Sequence, residues 1–539
     1  MTLWTGPSLP LIALVWPLLL AALTVLPAVR PRGVKLLPLA PLPALLLALT
    51  GSAEPTAAPD LLLGVTLGLD DAGRLLLAMT AVLWGIAGLA ARPMAGTPNA
   101  ALFAGFWCLT LAGNLGVFLA RDVATFYVAF AAVSLASWFL IVHDRSEKAL
   151  RAGRVYIVIA LAGEVALLLG LILGAFAAES TTIADVREAL GGPGLALLVI
   201  GFGIKAGLVP LHVWLPLAHP AAPVPASAVL SGAIVKAGLF GIILFVPDGM
   251  FGPLLMGLGL AGAFGAALWG LTQSNPKAVL AYSTVSQMGL MIVLLGAGGA
   301  AREALPYFAL HHGFAKGALF LLVGVMLVAK APRQRLACLI VAAVVAASVA
   351  GLPLTGGALA KAAVKDGLSE AASMALSLSS VSTGLILIWF LVRLRNIDAS
   401  GEAAGWRLRL LLPVAAGVLA YGTPWLLWTQ WTGKEPGYVL GPSTLLDTLW
   451  PAALALTLAL PLLRGRLPDH PPGDLLLVFG RRRIAPVRMG RSPVPEFDAA
   501  RALEALRGAT ERVERVLTRW GFVGTLVPLI VLLFLALLA

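Results

Sequence analysis

The chain has 539 residues, of which 59% are hydrophobic and 12% charged, and its mean hydropathy is +0.94. About a quarter of the residues of a soluble domain are charged, so this composition excludes a soluble globular protein over most of the length. The formal net charge of +12 does not indicate nucleic-acid binding, because the Lys and Arg residues fall in short loops between apolar runs and not on a folded basic surface.

Apolar stretches of about twenty residues, the length that crosses a bilayer, recur along the chain. The first lacks the basic leader and cleavage site of a signal peptide, so we expect it to be a span. The second is short and interrupted by prolines. The predicted fold is an all-α, polytopic membrane protein of about sixteen transmembrane helices, fourteen plus a C-terminal extension. The predicted spans are 8–29, 34–50, 73–91, 100–119, 122–142, 154–178, 194–217, 223–246, 250–271, 276–298, 303–329, 336–365, 372–394, 407–428, 447–464 and 520–539.

The charged loops predict the orientation, because Lys and Arg concentrate in cytoplasmic loops. The loop around Arg151 is basic, whereas the loop that holds Glu54 and Asp60 is acidic. With both termini outside, this alternation holds along the whole chain. We therefore predict a multi-pass protein of the cell membrane, in a bacterium the inner membrane, with Arg151 and residues 465–519 in the cytoplasm.

Residues 465–519 form the one long polar stretch between predicted spans. A cluster of five arginines lies in this stretch, and from Glu496 onward apolar residues recur at helical spacing, which predicts an amphipathic helix. The arginines are suited to contact anionic lipid headgroups. The alternative is that they dock a partner subunit.

Five charged side chains fall well inside the predicted spans: Glu164, Lys205, Lys236, Lys316 and Lys361. Each costs roughly 2.5 to 3.5 kcal/mol to insert, and charges inside spans mark ion and proton pathways. The summed insertion cost of the five charges predicts that they have a function. The alternative is that the buried lysines only donate structural hydrogen bonds.

Lys205 lies about eleven residues into its span, near the centre of the hydrocarbon core. Desolvation there favours the neutral amine, so a nearby charge can make this lysine take up or release a proton. His212 follows seven residues later, on the same face of a helix, between Pro210 and Pro216. Prolines break the helix, and broken helices at this depth line cavities or are buried in protein.

His312 and Lys316 are spaced i, i+4 in the eleventh span and therefore share a helical face. An imidazole titrates near neutral pH, so His312 could connect lysines. The alternative is a core histidine with a structural role. The neighbouring His311 points to another face and is a weaker candidate.

The twelfth span repeats the pattern of the seventh. Gly351 and Pro353 interrupt it ahead of Lys361, as the prolines interrupt the span that carries Lys205. Two broken segments, each with a lysine, predict an internal repeat, which in transporters points to the transport site.

Several long motifs occur in order between residues 70 and 395. They are GFGIKAGLVPLHVWLP at 201–216, HPAAP at 219–223, SG at 231–232, KAG at 236–238, LAYS at 280–283, SQMG at 286–289, HGFAKGALF at 312–320 and GLPLTGG at 351–357. Together they resemble the antiporter-like proton-channel subunits shared by respiratory complex I, membrane-bound hydrogenases of the formate hydrogenlyase type and Mrp-type Na⁺/H⁺ antiporters.

This resemblance implies two inverted five-helix repeats, each with a broken helix, and a polar axis along the membrane midplane. It implies that Lys205 and Lys361 lie on the two broken helices, that Lys236 connects the halves, and that Lys316 with His312 forms the central bridge. The implied regions are 1–99, N-terminal helices; 100–246, first repeat; 250–395, second repeat; 407–464, C-terminal helices; 465–519, cytoplasmic segment; and 520–539, final helix.

One position departs from the resemblance. Ala131 stands where the family usually has a glutamate that pairs with the first lysine. Glu164 is the one acid deep in a predicted span, at nearly the depth of Lys205. We hypothesise that Glu164 faces Lys205 and takes over this role, because a nearby carboxylate favours the charged lysine.

The cysteines and motifs predict no cofactor. Cys108 and Cys338 lie far apart in apolar runs, which excludes a CxxC pair and an iron–sulfur set. We expect no metal site and no catalytic chemistry in this chain; membership of a quinone oxidoreductase or hydrogenase complex stays open. A redox enzyme in its own right is therefore the least favoured reading.

Two functional hypotheses follow. The first is a subunit that moves H⁺, or exchanges Na⁺ for H⁺, along the lysines and histidines within the lipid bilayer, together with other membrane subunits. The second is a scaffold subunit of the same family that anchors a soluble partner without pumping, for which the missing glutamate is the supporting observation.

Overall fold

The structure is a computed structural model that describes residues 9–51, 55–59, 61, 64–365, 367–400, 405–464 and 470–473. The predicted span 520–539, Glu54, Asp60 and most of the polar stretch 465–519 lie outside the described residues. Eighteen helices form the described part: α1 Leu9–Leu23, α2 Arg30–Thr50, α3 Asp71–Ala90, α4 Ala100–Leu119, α5 Val123–Ile141, α6 Glu147–Ala178, α7 Ile183–Ala189, α8 Gly192–Ala206, α9 Trp214–Ala221, α10 Val224–Phe245, α11 Gly252–Gly270, α12 Pro276–Ala297, α13 Gly299–Met326, α14 Pro332–Ala350, α15 Gly356–Ala363, α16 Glu370–Arg395, α17 Trp406–Thr432 and α18 Pro442–Arg464.

Thirteen helices in the described ranges are long and apolar enough to cross a membrane, and α1 and α8 are shorter apolar helices. The predicted all-α, polytopic architecture is confirmed. A single short hairpin, strands β1 (Thr56–Ala58) and β2 (Val65–Leu67), is the sheet structure of the described chain. Prolines divide α2 into short α and 3₁₀ turns, as its sequence indicates.

Two helices end abruptly inside the bundle, as predicted. Helix α8 ends at Gly207 and α14 ends at Gly351, both with positive φ, +77° and +86°. Glycine accepts this left-handed backbone without a steric penalty. The prediction that His212 shares a helical face with Lys205 was wrong, because the chain leaves the helix at Gly207 and His212 lies in the turns before α9.

Two π-helical turns interrupt long helices, Leu230–Ile234 in α10 and Ala261–Ala266 in α11. Such turns shift the helix register by one residue and often occur at functional sites. Neither was predicted, because the apolar periodicity on both sides of each turn is that of an ordinary helix.

The most deeply buried helices are α12 and α13. The apolar window of α12 is entirely buried and that of α13 is 94% buried, whereas the values for α17 and α18 are 22% and 17%. Helix α13 contacts α3, α10, α14 and α17, so it stands at the centre of the bundle. Lys316, in the middle of α13, is therefore enclosed by protein.

Loops from alternate spans meet at one face of the bundle. The Arg121 guanidinium lies 3.5 Å from the Asp70 carboxylate, and Asp122 pairs with Thr182 through a β-bridge. These residues belong to the loops after the second, fourth and sixth predicted spans, which the alternation places on one side. The contacts support this part of the span count, while the side of the cell membrane stays a prediction.

Cysteine labelling tests that side. Arg151 is exposed at the start of α6, Thr181 is exposed just beyond its other end, and the native Cys108 and Cys338 are buried. We expect Arg151→Cys to react with a membrane-impermeant maleimide only from the cytoplasmic side and Thr181→Cys only from outside. Reaction of position 151 from outside would contradict the predicted orientation. Reaction of both positions from the same side would contradict the prediction that α6 crosses the membrane.

Candidate functional site

The side chains singled out from the sequence are all withdrawn from lipid. Their relative exposures are 5% for Glu164, 3% for Lys205, 2% for His212, 0% for Lys236, 1% for His312, 0% for Lys316 and 7% for Lys361. Burial without a partner would be costly for each of them. Their hydrogen-bond partners therefore show what the interior provides.

The first cluster lies between α5, α6 and α8. Glu164 on α6 accepts a short hydrogen bond from Ser134 Oγ on α5, and its second oxygen, Oε2, has no partner within the described residues. The Lys205 ammonium donates to Tyr156 Oη at 3.4 Å and lies 5.5 Å from the centre of the Phe130 ring. Glu164 and Lys205 interact electrostatically, and the Glu164 side chain is buried in protein.

The C-terminal end of α8 favours a cation at Lys205. The residue lies in the last turn of α8, where the unpaired carbonyls carry partial negative charge. The Trp214 indole N–H donates to the Ile204 carbonyl at 2.8 Å and so ties the start of α9 to this end of α8.

Gly238 allows α10 to approach the lysine closely. A Cβ at this position would lie 2.4 Å from the Phe202 carbonyl oxygen, 2.5 Å from Ala206 N and 3.0 Å from Lys205 Cβ. These are contacts with the backbone of α8, which cannot move like a flexible side chain. The glycine therefore brings the helix that carries Lys236 against the helix that carries Lys205.

Replacement of this glycine is a test of the packing. We expect Gly238→Ala to lower the thermal unfolding midpoint in detergent, by a destabilisation of about 1–3 kcal/mol, since the added methyl group must displace a helix backbone. The matched control is Gly257→Ala on α11, where a Cβ would meet nothing within 4 Å. This control should be neutral or up to about 1 kcal/mol more stable; equal midpoints for the two variants would contradict the close approach.

The central cluster joins α10 to α13. Lys236 Nζ lies 2.7 Å from His312 Nδ1 and donates to the Ser231 carbonyl, also at 2.7 Å. Ser231 belongs to the π-helical turn of α10, which turns this carbonyl toward the lysine. Two titratable groups in hydrogen-bond contact can exchange a proton: the Nζ–H bond breaks and an Nδ1–H bond forms, leaving an amine and an imidazolium.

A second line of hydrogen bonds runs from the same turn to Lys316. Ser231 Oγ lies 2.8 Å from Thr284 Oγ1, and Thr284 Oγ1 donates to the Leu280 carbonyl at 2.9 Å. Lys316 Nζ donates to that carbonyl at 3.1 Å. Lys236 and Lys316 are therefore linked through two backbone carbonyls, those of Ser231 and Leu280, and the hydroxyl pair between them, with no carboxylate in this line in the described structure.

The last cluster surrounds the second broken helix. Lys361 Nζ on α15 donates to Ser380 Oγ on α16 at 2.6 Å and to the Ala350 carbonyl at 3.1 Å. Ala350 is the last residue of α14, so its carbonyl is released by the break at Gly351. A Cβ on Gly351 would lie 3.1 Å from Lys361 Cδ and would push the lysine side chain aside slightly, and the φ of +86° at this position also favours glycine.

His311 is more central than its sequence indicated. Its Nε2 lies 3.0 Å from Ser348 Oγ on α14, and it interacts electrostatically with Lys361. Consecutive residues on a helix point in directions about 100° apart. His312 therefore faces α10 and the first half, while His311 faces the second broken helix.

Three further polar residues belong to the site but were not singled out as pathway residues. Tyr156 connects Lys205 to α5, and Lys277 donates to the Ala222 carbonyl at 2.5 Å. His219 is fully buried, stacks on Phe320 at 4.7 Å and interacts electrostatically with Lys236, Lys277 and Lys316. Within the motif HPAAP, His219 was the available signal.

The described chain offers no cluster of three or more His, Cys, Asp or Glu side chains that could hold a metal ion. The fold and these clusters define a class: a polytopic membrane subunit with lysines and histidines enclosed between two broken helices. The family model described as NADH:quinone oxidoreductase/Mrp antiporter, transmembrane, matches residues 120–387. Over these residues, just under half of the chain, the sequence is similar to this family of antiporter-like membrane subunits.

Curated relatives are similar to this chain over about half of its length. Hydrogenase-4 component B of Escherichia coli is 34% identical over 254 residues, which cover 42% of this chain and 38% of the relative. An NAD(P)H-quinone oxidoreductase chain 4 of Picosynechococcus sp. is 33% identical over 286 residues, which cover 50% of this chain and 52% of the relative. The chain thus matches about half or less of the length of these relatives.

Solved structures show the same fold over a longer range. The Mrp complex from Dietzia sp. contains a chain that aligns with 95% of this chain and 60% of its own length, with a TM-score of 0.71 and 22% identity. The archaeal membrane-bound sulfane sulfur reductase contains one that aligns over 83% and 98%, with a TM-score of 0.64 and 21% identity.

Proposed function

We propose that this chain is an ion-translocating subunit of a complex I-like, hydrogenase-like or Mrp-like assembly and that it moves protons, alone or in exchange for Na⁺. The observation that carries the proposal is the 2.7 Å contact between Lys236 Nζ and His312 Nδ1. Both side chains are buried at 1% exposure or less. A structural role needs only one donor and one acceptor here, whereas two titratable groups provide a site that binds and passes on a proton.

The proposed pathway follows the clusters across the bundle. Protons are held at Glu164 and Lys205, pass to Lys236 and His312, continue to Lys316, and reach Lys361. His212 lies next to the first broken helix and is included as a pathway residue. His311 is added to the sequence-based set because its imidazole links α13 to Ser348 near the end of α14, beside the second helix break.

The relatives indicate the partners. The first neighbour is named as the Mrp complex, and the sulfane sulfur reductase is named as an archaeal respiratory membrane complex. By analogy, this chain works beside other membrane subunits, which supply redox energy or an opposing ion gradient. A nearby acid argues against the scaffold alternative: Glu164 accepts a hydrogen bond from Ser134, which lies on α5 one turn after Ala131.

The test is ion movement by the purified assembly in proteoliposomes. A pH-sensitive dye inside the vesicles should report proton movement when the partner chemistry or an ion gradient is supplied. The control is the same assembly purified without this chain. Equal proton movement with and without the chain overturns the proposal, and a dependence of proton movement on Na⁺ distinguishes exchange from proton transport alone.

A further inference from the structure

The acid and the base of the first cluster are held apart. No ion pair joins the Glu164 carboxylate to the Lys205 ammonium, although both are described and both are buried. The hydrogen bond that Lys205 makes in the described structure goes to the neutral Tyr156 hydroxyl, at 3.4 Å. A buried carboxylate binds an ammonium more strongly than a phenol hydroxyl does. The position of Tyr156 must therefore favour its hydrogen bond with Lys205 over an ion pair between Lys205 and Glu164.

Tyr156 is fixed by its own contacts. It is 2% exposed, and its ring stands edge-on to Trp214 with 5.1 Å between the ring centres. Its hydroxyl donates to the Ser134 carbonyl at 2.8 Å and lies 2.6 Å from Ser137 Oγ. A phenol has one proton and can accept two hydrogen bonds, so it can donate to Ser134 while accepting from Lys205 and Ser137.

Ser134 connects the two sides of the cluster. Its carbonyl accepts from Tyr156, and its side-chain hydroxyl donates to Glu164. The tyrosine and the acid are therefore attached to one residue of α5, with Lys205 on the tyrosine side. Glu164 Oε2 has no hydrogen-bond partner in the described part of the chain, so it is the acceptor to which Lys205 can move.

We propose that Tyr156 is a positioning residue that holds Lys205 away from a direct ion pair with Glu164, and that ion movement requires Lys205 to alternate between these two acceptors. This proposal rests on the proposed function. A permanent buried ion pair would hold both groups in their charged forms, because separation of the charges in a low dielectric is costly. The neutral phenol binds the ammonium more weakly, so the lysine can leave it.

Other titratable groups surround the first cluster. The helices packed against α6 and α8 carry Tyr127 on α5, Asp185, Arg187 and Glu188 on α7, His219 on α9 with His212 just before it, and Lys236 on α10, and the start of α6 itself carries Glu147, Lys148, Arg151 and Arg154. Of these, Tyr127 interacts electrostatically with Glu164. The pH dependence of the first half is therefore expected to follow Glu164 and Lys205 in the first place.

The test is the pH profile of ion movement by the assembled complex carrying Tyr156→Phe. This change removes one oxygen and keeps the ring. We expect a lower rate and a shift of the profile by about one pH unit to higher pH, the size expected for one hydrogen bond to a charged group, because Lys205 would collapse onto Glu164 and stay protonated. The matched control is Tyr307→Phe, which removes another buried hydroxyl, one that donates to the Pro424 carbonyl, and should leave the profile in place.

The double variant Tyr156→Phe with Glu164→Gln tests whether Tyr156 positions Lys205 or only supports the local packing. Because Glu164→Gln is itself expected to lose transport, the readout here is the pH dependence of the thermal unfolding midpoint of the purified complex. Tyr156→Phe alone should shift this dependence to higher pH, whereas in the Glu164→Gln background Lys205 has no carboxylate to collapse onto, so Tyr156→Phe should cause no upward shift and the two changes should not add. Additive effects, an unshifted profile or a shift to lower pH would each overturn the proposal. Should Tyr156→Phe fail to assemble, Ser137→Ala must show a smaller shift in the same direction. Loss of transport in Lys205→Ala with a normal profile in Tyr156→Phe refutes the positioning role alone, whereas wild-type transport in Lys205→Ala refutes the proposed function.

Discussion

Replacement of Lys316 by alanine is expected to reduce ion movement by the assembled complex to the level of empty vesicles, with folding intact. Lys316 is fully buried on the central helix, and its ammonium has one partner in the described structure, the Leu280 carbonyl at 3.1 Å. Removal of a buried charge without a countercharge relieves desolvation. The thermal unfolding midpoint should therefore stay the same or rise while transport is lost.

A second substitution distinguishes a proton carrier from a fixed charge. Arginine stays charged at all accessible pH values, so Lys316→Arg keeps the positive charge but cannot release a proton. We expect it to be inactive as well. Activity in Lys316→Arg would indicate that the site needs only a cation. The control is Lys330→Ala, an exposed lysine just beyond the end of the same helix, which should transport normally.

Alanine at Lys205 or Lys361 should give the same loss, measured in the same vesicles. Each lysine lies in the last turn of a helix at a break, and each has a hydroxyl partner on a neighbouring helix. The clusters are proposed to act in series, so one interruption stops the whole flow. Wild-type rates in all three alanine variants would favour the scaffold hypothesis.

Glu164→Gln is expected to impair ion movement about as strongly as Lys205→Ala. Glutamine retains the shape and can still accept the hydrogen bond from Ser134 Oγ, so packing is preserved and only ionisation is lost. The control is Glu370→Gln, a change of an exposed acid in the first turn of α16, which should have no effect. A normal rate in Glu164→Gln would show that this carboxylate is structural.

A rescue experiment tests whether Glu164 replaces the glutamate that the family usually has at position 131. Ala131 lies on α5 three residues before Ser134, on the same side of the helix. Ala131→Glu should therefore restore part of the transport lost in Glu164→Gln, measured as the proton flux in the same vesicles. No restoration, in a double variant that assembles with a normal unfolding midpoint, would refute the exchange of roles.

The residues that carry charge into the membrane were identifiable from sequence, because their insertion cost stands out against apolar surroundings. Glu164, Lys205, Lys236, Lys316 and Lys361 are indeed buried in protein. Their roles stay proposals. The broken helices were also predictable, since proline and glycine act on the local backbone.

Local reasoning failed where the chain changes direction. Extending the helix beyond Gly207 placed His212 on the face of Lys205, but a residue in the left-handed region ends the helix there. The ranking of His311 below His312 had a similar cause. Spacing shows that the two rings point apart, but only the packed neighbours show that His311 meets Ser348.

By itself, the sequence determined the polytopic helical class and the identity of the buried charges, since hydropathy and insertion cost are properties of single residues and short windows. The predicted spans 8–29 and 194–217 correspond to the shorter apolar helices α1 and α8, because local hydropathy does not show where a helix ends. Only the tertiary structure decided which groups meet. Lys236 and His312 are 76 residues apart in sequence, and Lys205 and Tyr156 are 49 apart. Such pairs depend on how distant helices pack, on a π-helical turn that redirects the Ser231 carbonyl, and on a glycine that lets two backbones touch.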